Sequence, residues 1–119
     1  MSAIGDYLGG LVTDLQAAGV PATADPAQVT QQIAAGGVVA YLEAPNITRQ
    51  RLPGPADLEV TVHVLGANPG GPREMEPVWQ VVHQAMHVLG APTGTFTPTP
   101  VAGNTFPGYE LTHRARVTC

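Results

Sequence analysis

Lysine is absent from this 119-residue chain, and serine and cysteine each occur once, as Ser2 and Cys119. Without Lys there is no Schiff-base amine and no anchor for a phosphate-cradling P-loop. Ser2 and Cys119 stand at the two ends of the sequence, which suits neither a buried nucleophile nor a multi-cysteine metal site, and one Cys forms no intramolecular disulfide. Charge is scarce at 12%, and five Arg against nine acids give a formal charge of -4, the wrong sign for wrapping a phosphate backbone. No apolar run approaches the roughly 20 residues that a membrane-spanning helix needs. The opening stretch MSAIGDYLGGLVTDL carries Asp6 and Asp14 and no basic residue ahead of its apolar part, so a secretory signal is not expected and synthesis in a reducing cytoplasm is.

What is present is enough for one core: 44% of the residues are hydrophobic, a length and content that suit a single domain spanning residues 1–119. Fourteen Gly and twelve Pro fall between apolar segments and read as turns. Ile4, Leu8, Leu11, Leu15 and Ala18 recur at steps of three and four, which predicts a helix stopped at Gly19. Asp25-Pro26 has the form of an N-cap followed by Pro and introduces a short helix candidate at about 26–35. Residues 37–44 (GVVAYLEA) read as a central strand closed by Pro45, and 45–57 (PNITRQRLPGPAD), with its many breakers, as an exposed arm. Leu58, Val60, Val62 and Val64 alternate with Glu59, Thr61 and His63, predicting a strand with one wet face. After GANPGGP a second long helix runs to about Leu89, with Met75, Val78, Trp79, Val82, Met86 and Leu89 on its inner stripe. Residues 93–101 are expected as an edge strand because of Pro98 and Pro100, and 109–117 as an alternating strand with His113 inward and Glu110, Thr112, Arg114 and Arg116 outward. The expected fold is α+β: a mainly antiparallel four-stranded sheet with two long helices packed on one face, in the order α-β-β-α-β-β.

Candidate chemistry is thin. His83 and His87 stand four apart on the second long helix, with Glu76 pointing in roughly the same direction, and this set is the candidate for a metal-binding module or small metalloenzyme. The zinc-protease motif needs Glu directly after the first His, where this chain has Gln84. His63 belongs to the polar parity of its strand and, if the two strands are neighbours, shares the outer sheet face with Glu59 and Arg114 or Arg116, where opposite charges pair across strands. Glu43 is the one acid that interrupts a mainly apolar strand, without a second carboxylate beside it for paired acid and base work. GANPGGP lacks the dinucleotide-binding fingerprint. The reading is therefore of a non-enzyme with no cofactor, whose surplus is in connecting elements.

A helix ending in AAGV, a turn at Asp25-Pro26, a Val-rich strand closing in Glu43-Ala44-Pro45, an alternating strand entering a Gly/Pro loop, a helix carrying Trp79 and a last strand Tyr109-Glu110-Leu111-Thr112 run in sequence. In this order the chain resembles, over nearly its whole length, the tail terminator proteins of long-tailed (siphovirus-type) phages, particularly those infecting actinobacteria. The resemblance implies a structural virion protein, made in the host cytoplasm, that forms a ring, commonly of six. That ring would dock on the finished tail tube, stop its polymerisation and join the tail to the head connector. Its partners would be its own copies, the tail tube protein and a connector or stopper protein, with DNA passing through the lumen without specific binding and no membrane involved. Six copies at -4 each make an acidic ring, which repels passing DNA. Another neck protein, stopper or adaptor, has the same general layout and is the nearest alternative. Arg49, Arg51 and Leu52 on the arm, with Arg114 and Arg116 on the last strand, are the expected subunit or neighbour contacts.

Overall fold

The computed structural model describes residues 2–50, 54–67 and 75–118. The first helix, α1 (Ala3–Ala17), begins at Ser2, whose side chain accepts from the Gly5 N–H at 3.0 Å, and it buries Leu11 and Leu15. A two-residue strand β1 (Ala22–Thr23) leads into α2 (Pro26–Ala34), capped by the Asp25 carboxylate accepting from the Ala27 N–H. Strands β2 (Val39–Leu42), β3 (Asn46–Gln50) and β4 (Pro55–Leu65) follow, then α3 (Glu76–Leu89), which Gly90 ends in the left-handed conformation at φ 64°. The chain closes with β5 (Thr95–Phe96), the hairpin of β6 (Thr99–Val101) and β7 (Asn104–Phe106), and β8 (Gly108–Thr118).

The expectation of a four-stranded antiparallel sheet under two long helices is overturned. Among the described residues, three helices surround a mixed six-stranded sheet in the order β1-β2-β4-β8-β5, with β3 also on β4, and β6 and β7 form a separate two-stranded sheet. β1 runs parallel to β2 and every other pair is antiparallel. β2 and β3 occupy successive stretches of the same edge of β4 and diverge at Glu43–Pro45. The supposed arm thus contains a strand: Pro45 and Pro53 bracket Asn46–Gln50 rather than interrupting it, and Ile47 and Thr48 are good β-formers. Pro98 splits the other long candidate, at 93–101, into β5 on the main sheet and β6 off it.

The axis of the sheet is the pairing of β4 with β8, eleven residues against eleven, from Pro55 opposite Thr118 to Leu65 opposite Gly108. Even-numbered β4 residues carry the main core, with Val60, Val62 and Val64 fully buried under Leu11 and Leu15 of α1 and Val78, Val82 and Leu89 of α3. Ala56 and Leu58 continue it outward beneath Ala3, Ile4 and Tyr7. The opposite face is not uniformly wet. At its Leu65 end, Val29 and Ile33 of α2 pack with Val39, Leu65 and Val101 into a second cluster. Leu65 ends the otherwise polar run of Asp57, Glu59, Thr61 and His63 on this parity, and it seats the additional helix there.

Gly108 allows β8 to approach β4, since a Cβ at this position would lie 2.1 Å from the Val64 carbonyl oxygen. Gly108→Ala is therefore expected to cost more than the roughly 1–3 kcal/mol of ordinary overpacking, because the clash is with backbone. Gly9→Ala and Gly10→Ala, on the exposed face of α1 with nothing within 4 Å of the added carbon, are expected each to stabilise by about 0.5–1 kcal/mol. Urea unfolding midpoints of the three variants check both signs.

Candidate functional site

The exposed face of the sheet beyond α2 gathers the charges. Along β4, Asp57 and Glu59 point away from the helices, and register sets Arg116 opposite Asp57, Arg114 opposite Glu59, and Arg49 of β3 opposite Asp57 on its other side. Arg116 grips Asp57 with Nε at 2.8 Å and a second guanidinium nitrogen at 3.5 Å, and Arg114 Nε stands 3.4 Å from Glu59. The hydrogen bond from Arg116 to Asp57, then the charge of that carboxylate, raises the guanidinium further above its ordinary value. Arg49, Pro55, Asp57 and Arg116 line a cavity of about 150 Å³, and Thr48, Glu59, Arg114 and Ala115 border a wider groove beside it. Three of the five residues singled out as contacts are thereby brought onto one face, while Arg51 and Leu52 lie outside the described residues. Surface pairs of this kind contribute little to folding, so their arrangement is a matter of surface shape and charge rather than stability.

The two histidines on strands have structural partners. His113 sits on the helix face of β8, where its Nδ1 donates to the Leu89 carbonyl at 2.8 Å and its Nε2 accepts from the Tyr7 hydroxyl. One ring thus satisfies an unpaired carbonyl in the last turn of α3 and holds α1 against β8. His63 is 5% exposed, not on a wet face as its parity suggested, because the β6–β7 hairpin and Tyr41 cover it. Its Nε2 meets Glu43 Oε1 at 2.8 Å and its Nδ1 meets the Thr99 hydroxyl at 3.2 Å. Carboxylate, imidazole and hydroxyl in line have the outline of an activated nucleophile. The Thr99 hydroxyl, however, is buried and donates to the Thr97 carbonyl, so the arrangement acts as a clasp between hairpin and sheet.

The chain matches no protein-family model, no curated protein and no solved structure.

His83, His87 and Glu76 all lie exposed along α3, and among the described residues no group of three or more His, Cys, Asp or Glu side chains is placed to hold a metal ion. Glu43 is half exposed just beyond β2 rather than buried within a strand. An aromatic cluster that hydrophobic periodicity does not reveal lies at the surface. Trp79, assigned to the inner stripe of its helix, is 40% exposed and donates its indole N–H to the Tyr109 hydroxyl at 2.9 Å. Phe96, 53% exposed on β5, meets the Tyr109 ring edge to face at 5.6 Å. Glu76, Trp79, Gln80, His83 and Gln84 border a groove of about 440 Å³ alongside. The available signal was position: Trp79 stands next to Val78 in the first turns of α3, at the margin of the apolar stripe.

Two tyrosines make the fold sensitive to alkali. Burial first, then the Asp14 charge, raises Tyr7 above its ordinary 10.0; burial, then Glu43 and Asp25, raises Tyr41 in the same way. Each is neutral when protonated and its folded value lies above the unfolded one, so its contribution is fully present below pH 10.0 and is lost as pH climbs through the raised values. Denaturation midpoints should fall as pH rises past about 10, and the fall should be shallower in a Tyr7→Phe, Tyr41→Phe double variant. At neutral pH, Tyr7→Phe alone is expected to cost about 0.5–1.5 kcal/mol for the lost hydrogen bond to His113.

Proposed function

We propose that this chain is a ring-forming structural subunit that acts as a tail terminator, capping a tail tube and joining it to the head connector. The observation that carries the reading is a sheet with an open lateral edge on each side. Among the described residues β3 has no strand on its outer side, and β5 pairs β8 only at Tyr109 and Glu110, so no described strand lies beside Leu111 to Arg116. Open edges at opposite sides of one sheet are the material of head-to-tail association, and a head-to-tail contact that closes makes a ring.

The molecule's shape supports the same reading. It measures 50 × 27 × 24 Å, and the β4–β8 pair carries the arginine face toward the end remote from α2. A surface that alternates Arg and Asp or Glu suits a polar, register-specific contact with a neighbour, for which electrostatic complementarity sets orientation more than raw affinity. The bordering cavity is small and open, and the described histidines serve as clasps or lie on an exposed helix face. That distribution favours assembly over turnover.

The test is electron microscopy of the purified protein, alone and mixed with a phage tail tube protein. Rings, or tubes capped at one end, are the expected result; a persistent monomer that leaves tubes growing at both ends would overturn the reading. In the same assay an Arg114→Glu, Arg116→Glu variant should remain folded, because exposed ion pairs contribute little to stability, and cap fewer tubes, because it replaces the cations of the proposed contact face with anions.

A further inference from the structure

Three large hydrophobic side chains are exposed among the described residues: Ile47, Trp79 and Phe96. Trp79 and Phe96 converge on Tyr109 at the β5 side of the sheet, whereas Ile47 lies on β3, on the opposite lateral edge. Three strand spacings separate those edges, about 14 Å across the sheet, and Tyr109 is six residues along β8 from the level of Ile47, about 20 Å more. A single copy cannot bring its two apolar patches together. A second copy can, by setting its β3 edge against the aromatic ledge of the first.

We infer that the β3 edge of one copy docks on the Trp79–Phe96 ledge of the next, which makes this the contact that propagates the ring; the inference rests on the ring-forming reading above. Charge favours this occupant. β3 carries Arg49 and no acid, in a chain whose net charge is -4, and the groove beside Trp79 is bordered by Glu76. The ladder shifts register between Ile47 and Arg49, which sends Ile47 to the helix face and Arg49 to the other. A neighbour that closes over this edge therefore meets an apolar side chain on one wall and a cation on the other. Because ledge and edge are different surfaces, the contact is heterologous: each copy uses both, and the assembly grows past two until it closes. The bulge also keeps β3 from offering a flat edge to unrelated strands.

Cysteine cross-linking of the full chain in a Cys119→Ser background tests this. A chain carrying both Ile47→Cys and Gln80→Cys, two exposed positions, should give a disulfide ladder extending beyond the dimer, while each single variant should stay uncross-linked. A ladder that stops at dimer, or cross-linking by either single variant, would mean a self-complementary contact and overturn the inference. Trp79→Ala should weaken self-association by about thirtyfold in sedimentation, the loss expected of a central aromatic anchor. Glu76→Arg should weaken it too, with partial recovery in combination with Arg49→Glu. Rings that form unchanged in Trp79→Ala and give no 47-to-80 cross-link would sink this contact and leave the ring reading standing. Wild-type chain that forms no oligomer, alone or on tail tubes, would sink both.

Discussion

Eleven residues of β4 lie against eleven of β8 in unbroken register, and nearly every feature of the surface follows from that alignment. It sets His113 opposite Val60 on the helix side, where the ring reaches both Tyr7 and the end of α3. It sets Arg116 opposite Asp57 and Arg114 opposite Glu59 on the other side. A slip of one residue would exchange the two faces, burying the arginines under α1 and turning Leu111 and Val117 to water. Burial of the even-numbered valines of β4 opposes such a slip, and the close approach that Gly108 permits fixes where the ladder ends.

The two faces of this ladder are treated differently along its length. The helix face is covered from end to end, by α3 and the body of α1 at one end and by Ala3, Ile4 and Tyr7 at the other. The opposite face is covered only where Leu65 and Val39 give α2 something apolar to rest on, and the β6–β7 hairpin adds a lid held by the clasp of Glu43, His63 and Thr99. Past that lid the same face is a field of cross-strand ion pairs. A sheet buried on both sides at one end and on one side at the other keeps a bare face, and in the proposed assembly that face and the lateral edges are what other chains meet.

This division of labour fits a protein whose role is to be a part. The titratable groups with structural partners hold elements together, and the exposed ones stand in rows rather than in a closed pocket. In the proposed ring each copy contributes an arginine-lined face already paired with its own carboxylates, together with an edge strand and an aromatic ledge, two surfaces that cannot satisfy each other within one molecule. Association is then the event that gives these surfaces their partners, with geometry selecting a closed ring over an open filament.

Several local elements were legible in the amino-acid sequence because their signals are short-range. Steps of three and four mark α1 and α3, Asp25-Pro26 starts α2 as an N-cap should, and alternation marks β4 and β8. Alternation also placed Arg114 and Arg116 outward and His113 inward. Tertiary structure alone decided which faces are covered. His63 and Thr61 share a parity, but His63 is buried by a hairpin nearly forty residues downstream, and Trp79 is left at the surface because β8 places Tyr109, not a cavity, beside it. Strand order was equally out of reach, since a two-residue β1 and a β3 bracketed by prolines owe their existence to neighbours already in place. Periodicity records which side of an element is apolar; what comes to lie against that side depends on contacts distant in sequence, and those contacts exist only in the folded chain.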